Sequence, residues 1–426
     1  MANNLSSNTS SITLKKIVEH FQDNRIASKT VNTQLIKGEI DPNTGDRVFL
    51  KRPTQANTIS TVDGDLTSSN PDNLIRGKIP AVTQNFITGF TEWGILEEAI
   101  ELNQLESFLE PYGKKMASDY EQELLAFMSL NSGLTVGTGG TGVSKWSDVA
   151  AANTLLESMG APNADNWFAL LTPAVQQNLA DVQKGLFDGN LVRSAWERAM
   201  IPSNFGGLRA MRHNSLPSFT AGAFGAGPIT VDGGSQEVGY VAVKDTMTQT
   251  INLTGLTNTT GTFVAGTQLQ FDTVQWVNQQ SKVGITTGTD ALEPFTCTVV
   301  VGGTADGSGN VTVTITPPII VDATNPQYNN VVAGPANSAA VTVISGATGT
   351  TNKPNLFYDK DAFAIGTVVL PPMKSLVSTT INVDGFSIRE TRFANGITNK
   401  QMVRWDLLPV FAVNNPMMAG KMYGTP

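Results

Sequence analysis

Phe295-Thr-Cys-Thr-Val-Val-Val301, then Asp306-Gly-Ser-Gly-Asn310, then Val311-Thr-Val-Thr-Ile315 spells a strand, a tight turn and a strand. Apolar residues alternate with threonines in Val311–Ile315, and period two puts every second side chain on one face. The Asp-Gly-Ser-Gly-Asn run between them has the composition of a hairpin turn. Outward from this pair, Gln249–Leu253 and Gln268–Phe271 alternate in the same way. Several short strands with Gly-rich turns predict a small barrel or sandwich.

Composition sets the limits of this β segment. The chain has no arginine between Arg212 and Arg389. From about residue 226 to 352 its only cations are Lys244 and Lys282, against eight carboxylates, so most of the net charge of −8 falls here. Such a break inside one chain points to a β-domain inserted into a host that resumes at Asn355. Across all 426 residues only 15% are charged and 40% are hydrophobic, which suits a protein that buries much surface against neighbours. The acidic balance argues against nucleic-acid binding as the main task, because phosphate neutralisation needs clustered Lys and Arg.

Before the insert, Leu14, Ile17, Val18 and Phe21 recur at helical spacing, with Ser11 as a plausible cap. This amphipathic arm must bury its stripe in its own domain or in another subunit. Val48–Leu50 and Val82–Trp93 read as strands joined by the long polar stretch 54–73, an extended hairpin of the kind that reaches outward. A helical stripe runs from Leu96 to Leu109 and resumes beyond Pro111 to about Asn131; Pro111 either breaks the run or starts a second helix. Then come a helix capped by Ser147 and running to Met159, a strand at Phe168–Leu171, a helix from Pro173 to about Lys184, a helix over 191–200 and a strand at 207–212, an α/β layer. Phe386–Phe393 and Met402–Val413 read as strands that complete the host sheet.

Chemistry-bearing patterns are sparse. Gly137-Thr-Gly139-Gly140-Thr-Gly142 matches G-x-G-x-x-G but follows a helix and lies in no βαβ unit, so it reads as a flexible loop. His20, His213 and the single Cys297 are too scattered for a recognisable zinc site, and Cys297 reads as a small apolar strand residue. No signal peptide or membrane span is expected. Glu97 and Glu101 share a helix face, which fits a solvated or subunit-facing surface better than a glycosidase pair. One charge pattern suggests contact. Arg47, Lys51 and Arg52 cluster on the first hairpin strand, whereas Glu97, Glu98 and Glu101 lie in a stretch without cations. These are either two solvated faces or one subunit's hairpin lying over the next subunit's helix.

Four stretches carry a resemblance: Lys37-Gly-Glu-Ile-Asp-Pro-Asn-Thr-Gly-Asp46; Glu97-Glu-Ala-Ile-Glu-Leu-Asn-Gln-Leu-Glu106; Trp196 to Gly207, ending Ile201-Pro-Ser-Asn-Phe-Gly-Gly207; and Arg404-Trp-Asp-Leu-Leu-Pro-Val-Phe-Ala-Val-Asn-Asn-Pro416. With the order of elements, they make the chain resemble the major capsid proteins of tailed double-stranded DNA phages, with the Hong Kong ninety-seven-type α+β fold. Within these it is closest to short-tailed phage coat proteins carrying an insertion domain. The resemblance implies an N-terminal arm (1–37), an E-loop hairpin (38–92), a peripheral domain with a spine helix (93–143), the first part of an axial α/β domain (144–225), an inserted all-β barrel-like domain (226–352) and the completion of the peripheral and axial domains (353–426). It also implies that Leu14, Ile17, Val18 and Phe21 lie on an arm contacting neighbours or a scaffolding protein. Arg47, Lys51 and Arg52 would meet Glu97, Glu98 and Glu101 of an adjacent subunit. Lys282 and Asp290 are candidates for a contact made by the insertion domain. Expected partners are the chain itself in pentamers and hexamers, a scaffolding protein, a portal, and packaged double-stranded DNA without sequence-specific binding. No cofactor, metal, membrane or catalytic residue is expected. The expected location is the virion capsid, assembled non-covalently in the bacterial host cytoplasm. The alternatives are a β-rich binding or adhesion module, and a polysaccharide-acting enzyme using Glu97 and Glu101.

Overall fold

Six strands close on one another between residues 229 and 343 in the computed structural model of the chain. The structure describes residues 6–33, 47–67, 71–94, 105–161, 164–183, 193, 197–225, 227–286, 291–374, 377–383 and 385–425. Around the barrel the order is Ile229–Val231, Gln249–Thr254, Val311–Thr316, Pro294–Val301, Gln268–Gln275 and Ala340–Val343, which returns to the first. Every pairing is antiparallel, as between Ile251 and Val313 or Leu269 and Cys297. Ile251, Leu269, Phe271, Phe295, Cys297 and Val313 are all buried, and closure leaves no unpaired strand edge. Burial pushes the Cys297 thiol well up, which keeps it out of thiolate chemistry. The sequence signals four of these strands. The other two, Ile229–Val231 and Ala340–Val343, are too short to show a period.

The chain divides into two compact units, one of residues 1–50, 80–125 and 363–412, the other of residues 51–79, 126–362 and 413–426. The second unit holds the barrel and a mixed sheet ordered Leu134–Val136, Ala419–Met422, Asn355–Asp359, Trp167–Leu171, Leu208–Arg212, Asn204–Phe205. Trp167–Leu171 and Asn355–Asp359 are buried at every position, as strands covered on both faces are. Hydroxyls join barrel to sheet: Thr296 Oγ1 donates to the Gly133 carbonyl (3.1 Å), and Gln268 Nε2 donates to Thr135 Oγ1 (2.5 Å).

Two expectations about this unit are corrected. The helix Trp146–Met159 is not capped by Ser147, which lies inside it. The buried Asp148 carboxylate does that work instead, accepting from the Ser144 and Lys145 amides, both at 3.1 Å, and from the Thr425 hydroxyl at 2.7 Å. Burial pushes its pKa up, but these hydrogen bonds outweigh it and hold the carboxyl below the usual range. Asp148→Ala should therefore cost about 1–2 kcal/mol in urea unfolding, the loss of a cap. The second correction concerns the closing strands. Phe386–Asn395 and Lys400–Leu407 do not complete the host sheet. They form a separate antiparallel sheet with Val377–Val383 and Ile87–Gly94 in the first unit, because strands adjacent in sequence pair most easily with each other. The last strand to enter the host sheet is Ala419–Met422, whose Gly and Lys hide it from a hydrophobicity reading.

In the first unit the helix Leu105–Leu130, which belongs to it up to residue 125, runs through Pro111; proline there forfeits one helical hydrogen bond without ending the helix. The helix Ser6–Asp23 packs beside it. A Cβ added at Gly113 would lie 2.7 Å from the Ile17 carbonyl oxygen, so the two backbones meet where only glycine fits. In the sheet, buried Asp406 accepts from Arg389 Nη2 (2.7 Å), Arg404 Nε (2.7 Å) and the Thr88 hydroxyl (2.9 Å).

Candidate assembly surfaces

The arm is the first place where burial decides. Leu14, Ile17, Val18 and Phe21 are each at most 2% exposed within the first unit. Phe21 packs on Tyr120 (ring centroids 6.0 Å) and on Phe386 (5.6 Å). The expectation that these four side chains contact neighbours is corrected: the chain's own aromatic core takes the stripe.

The cationic cluster separates in the same way. Lys51 is exposed at the end of the strand Arg47–Lys51. Arg52, one residue later, points the other way and is 7% exposed. Its Nε donates to the Lys244 carbonyl (3.1 Å) and its Nη1 to the Asn414 carbonyl. Burial lowers its pKa to about 10, against the opposing influence of Tyr240 and Asp245. Arg52 is thus consumed inside its own subunit, which corrects its assignment to a contact between subunits. Lys282 is likewise engaged internally, its Nζ donating to Gln55 Oε1 (2.9 Å) and the Asn329 carbonyl (3.1 Å), with its pKa lowered by burial to about 8. Glu97, Glu98, Glu101, Asp290 and the Arg47 side chain lie outside the described residues.

The structure adds a group of exposed apolar residues with no periodic signal in the sequence. Ile59, Val62, Leu66 and Leu74 are exposed along residues 53–77, a segment without helix or strand among its described residues. Single exposed apolar residues are ordinary, but four on one extended loop make a surface that water disfavours and a partner can cover. The signal was present as lone aliphatic residues in a polar run, and it was averaged away by the polar neighbours. Ile397, at the turn between Phe386–Asn395 and Lys400–Leu407, is 97% exposed.

Among the described residues no comparable cluster gathers for catalysis. The glycine loop is packed on its own chain: the Gly139 amide donates to the Ile344 carbonyl (2.7 Å), and the Thr138 amide donates to the Gly424 carbonyl (3.1 Å). A cleft of about 440 Å³ is lined by Val136, Leu155, Ser158, Ile285 and Glu293 among others, and Glu293 is the one titratable side chain among its lining residues. Burial raises the Glu293 pKa, but a single carboxylate supplies no acid and base pair. Among the described residues no three His, Cys, Asp or Glu side chains are placed to hold a metal ion, and no helix is long and apolar enough to cross a membrane.

The described residues thus offer exposed apolar side chains along 53–77 that a partner can cover. A family model described as P22 coat protein, gene protein 5, matches residues 1–424. The chain belongs to the P22 coat protein family. A relative, the major capsid protein of Acyrthosiphon pisum secondary endosymbiont phage 1, is 42% identical over 428 residues and is matched over 100% of both chains. Among solved structures, one from Mycobacterium phage Che8 is 8% identical, with 93% of this chain and 90% of that chain covered at a TM-score of 0.45. The capsid of Cyanophage P-SCSP1u is 9% identical, with 89% and 84% covered at 0.41. Both structural likenesses are distant. Membership of the coat protein family gives the chain a structural, non-enzymatic role and makes other copies of itself its first partner.

Proposed function

We propose that this coat protein builds the icosahedral shell enclosing phage double-stranded DNA, through repeated and individually weak self-association in pentamers and hexamers. The full-length family match carries this reading. In it, residues 38–92 are the E-loop lying across an adjacent subunit, with the exposed Ile59, Val62 and Leu66 as its apolar contacts. The helix Leu105–Leu130 is the spine, the six-stranded mixed sheet is the core of the axial domain, and the barrel is the insertion domain. A scaffolding protein and a portal complete the assembly in the host cytoplasm. DNA is enclosed without sequence readout, consistent with a net charge of −8.

Arg47 and Lys51 remain as the cations that meet Glu97, Glu98 and Glu101 of the neighbour, and Asp290 remains a proposed contact of the insertion domain. Arg47→Glu with Lys51→Glu should give soluble, folded subunits that fail to close shells; normal shells would remove the pairing. The reading itself is tested by negative-stain electron microscopy of the purified chain with and without its scaffolding protein. Closed shells, tubes or spirals support it. Dispersed monomers under both conditions would favour a β-rich binding module instead.

A further inference from the structure

We infer that the barrel moors the reaching loop, so that barrel side chains set the course on which residues 53–77 leave the subunit, with Lys282, Asp245 and Tyr328 as positioning residues for self-association. This rests on the shell-forming reading above.

Both limbs of the loop are tied to the connections between barrel strands. On the outgoing limb, Arg52 Nε reaches the Lys244 carbonyl, and Gln55 Oε1 accepts from Lys282 Nζ. Lys282 Nζ is braced by the Asn329 carbonyl. On the returning limb, Gln327 Nε2 donates to the Asn73 carbonyl (3.0 Å). The Tyr328 hydroxyl accepts from the Ile75 amide and donates to the Ile75 carbonyl, both at 3.0 Å. The Lys78 amide donates to Asp245 Oδ1 (2.7 Å).

The anchors are themselves held. Tyr328 stacks on Tyr240 with ring centroids 3.9 Å apart and planes within 2°. Asp245 also accepts from Lys244 Nζ (3.3 Å). Between the limbs the Arg52 amide donates to the Gly77 carbonyl (2.9 Å). A Cβ on Gly77 would collide with the Lys244 carbonyl, so loop and barrel backbones are in contact at that point. Further out the Asn57 amide donates to Asp72 Oδ2 (2.5 Å) across the two limbs, and Ile59, Val62 and Leu66 stand in solvent.

A long loop without regular structure samples many directions unless its ends are fixed. Ties on both limbs remove that freedom before a neighbour is met, which lowers the ordering cost of association. The barrel therefore acts in assembly through the loop it holds as well as through any surface of its own.

The test uses two full-length variants that attack the mooring from opposite sides. Tyr328→Phe with Asp245→Ala removes two barrel anchors, the hydroxyl on Ile75 and the acceptor of the Lys78 amide, and Gly77→Val pries the loop from its own side. Amide hydrogen exchange is measured on purified subunits, and shell formation is followed by electron microscopy beside the wild type. Exchange at Ile75 and Lys78 should be at least about tenfold faster in both variants, with the strands 249–254 and 311–316 unchanged, and shells should be lost or malformed. Unchanged exchange at Ile75 and Lys78 would overturn the mooring. Faster exchange with normal shells would overturn its role in assembly. If the wild type itself forms no shell, the shell-forming reading fails, while the exchange comparison still decides the mooring.

Discussion

Phe21→Ala should cost about 3–5 kcal/mol of stability and expose the helix Ser6–Asp23 to proteolysis. The ring is fully buried, and the Tyr120 and Phe386 rings that flank it also meet each other edge-on at 5.3 Å. The Arg25 guanidinium lies 4.0 Å from the Phe386 centroid, over the same cluster. Removing Phe21 leaves a hole that the helices cannot close by moving together, because at Gly113 their backbones already touch. Leu14, Ile17 and Val18 lie on the same stripe and lose part of their support. After the helix, the buried Glu121 carboxylate accepts from the Ala27 amide (2.7 Å), the Ser28 amide (3.0 Å) and the Ser28 hydroxyl (2.6 Å). That tie keeps the following turn in place but does not refill the cavity. Lys15→Ala, an exposed change on the same helix, should stay within about 0.5 kcal/mol and serves as the control. Urea unfolding of purified subunits separates the two. Equal midpoints would mean that the stripe is not anchored in its own subunit.

What the sequence displayed and what it hid follow from periodicity. Gln249–Thr254 and Val311–Thr316 alternate buried with less buried positions, so their type and rough bounds were legible. The arm's stripe was legible as a stripe, but period alone does not say which molecule covers it. Arg47, Lys51 and Arg52 look like one cationic cluster in a string of letters. On an extended chain adjacent residues face opposite sides, so Lys51 reaches solvent and Arg52 reaches the Lys244 carbonyl. The apolar residues of the loop, Ile59, Val62, Leu66 and Leu74, are exposed and have no period, since it is burial on one face that imposes a period. The ties that hold the loop join residues far apart in sequence, such as Ile75 with Tyr328, and no local pattern encodes such a pairing.

Lys421→Met should stabilise the protein at neutral and acidic pH, and the gain should fade as pH rises. Lys421 sits on the strand Ala419–Met422, between Leu356 on one neighbour and Thr135 on the other. It is 1% exposed, and Nζ donates to the Gly266 carbonyl at 3.0 Å. Burial lowers its pKa from 10.5 to about 7. The sign follows from proton counting. Below about pH 7 folded and unfolded chains both hold the proton, and the folded state carries the full cost of a buried ammonium. Between about pH 7 and pH 10 the unfolded chain binds a proton that the folded chain has released, so wild-type stability rises by up to about 1.4 kcal/mol per pH unit relative to a residue that cannot titrate. Methionine keeps a similar length and needs no hydration, so near pH 6 the variant should lead by about 1–4 kcal/mol, the range seen when buried charges give way to apolar side chains. Loss of the bond to Gly266 takes back part of that lead, since a buried carbonyl is left without its donor. The two effects separate in urea unfolding at about pH 6, 7, 8 and 9: the desolvation part shrinks with pH, while the lost hydrogen bond does not. A difference that stays constant across this range would mean that Lys421 keeps its proton in the folded protein and that the Gly266 carbonyl compensates the buried charge.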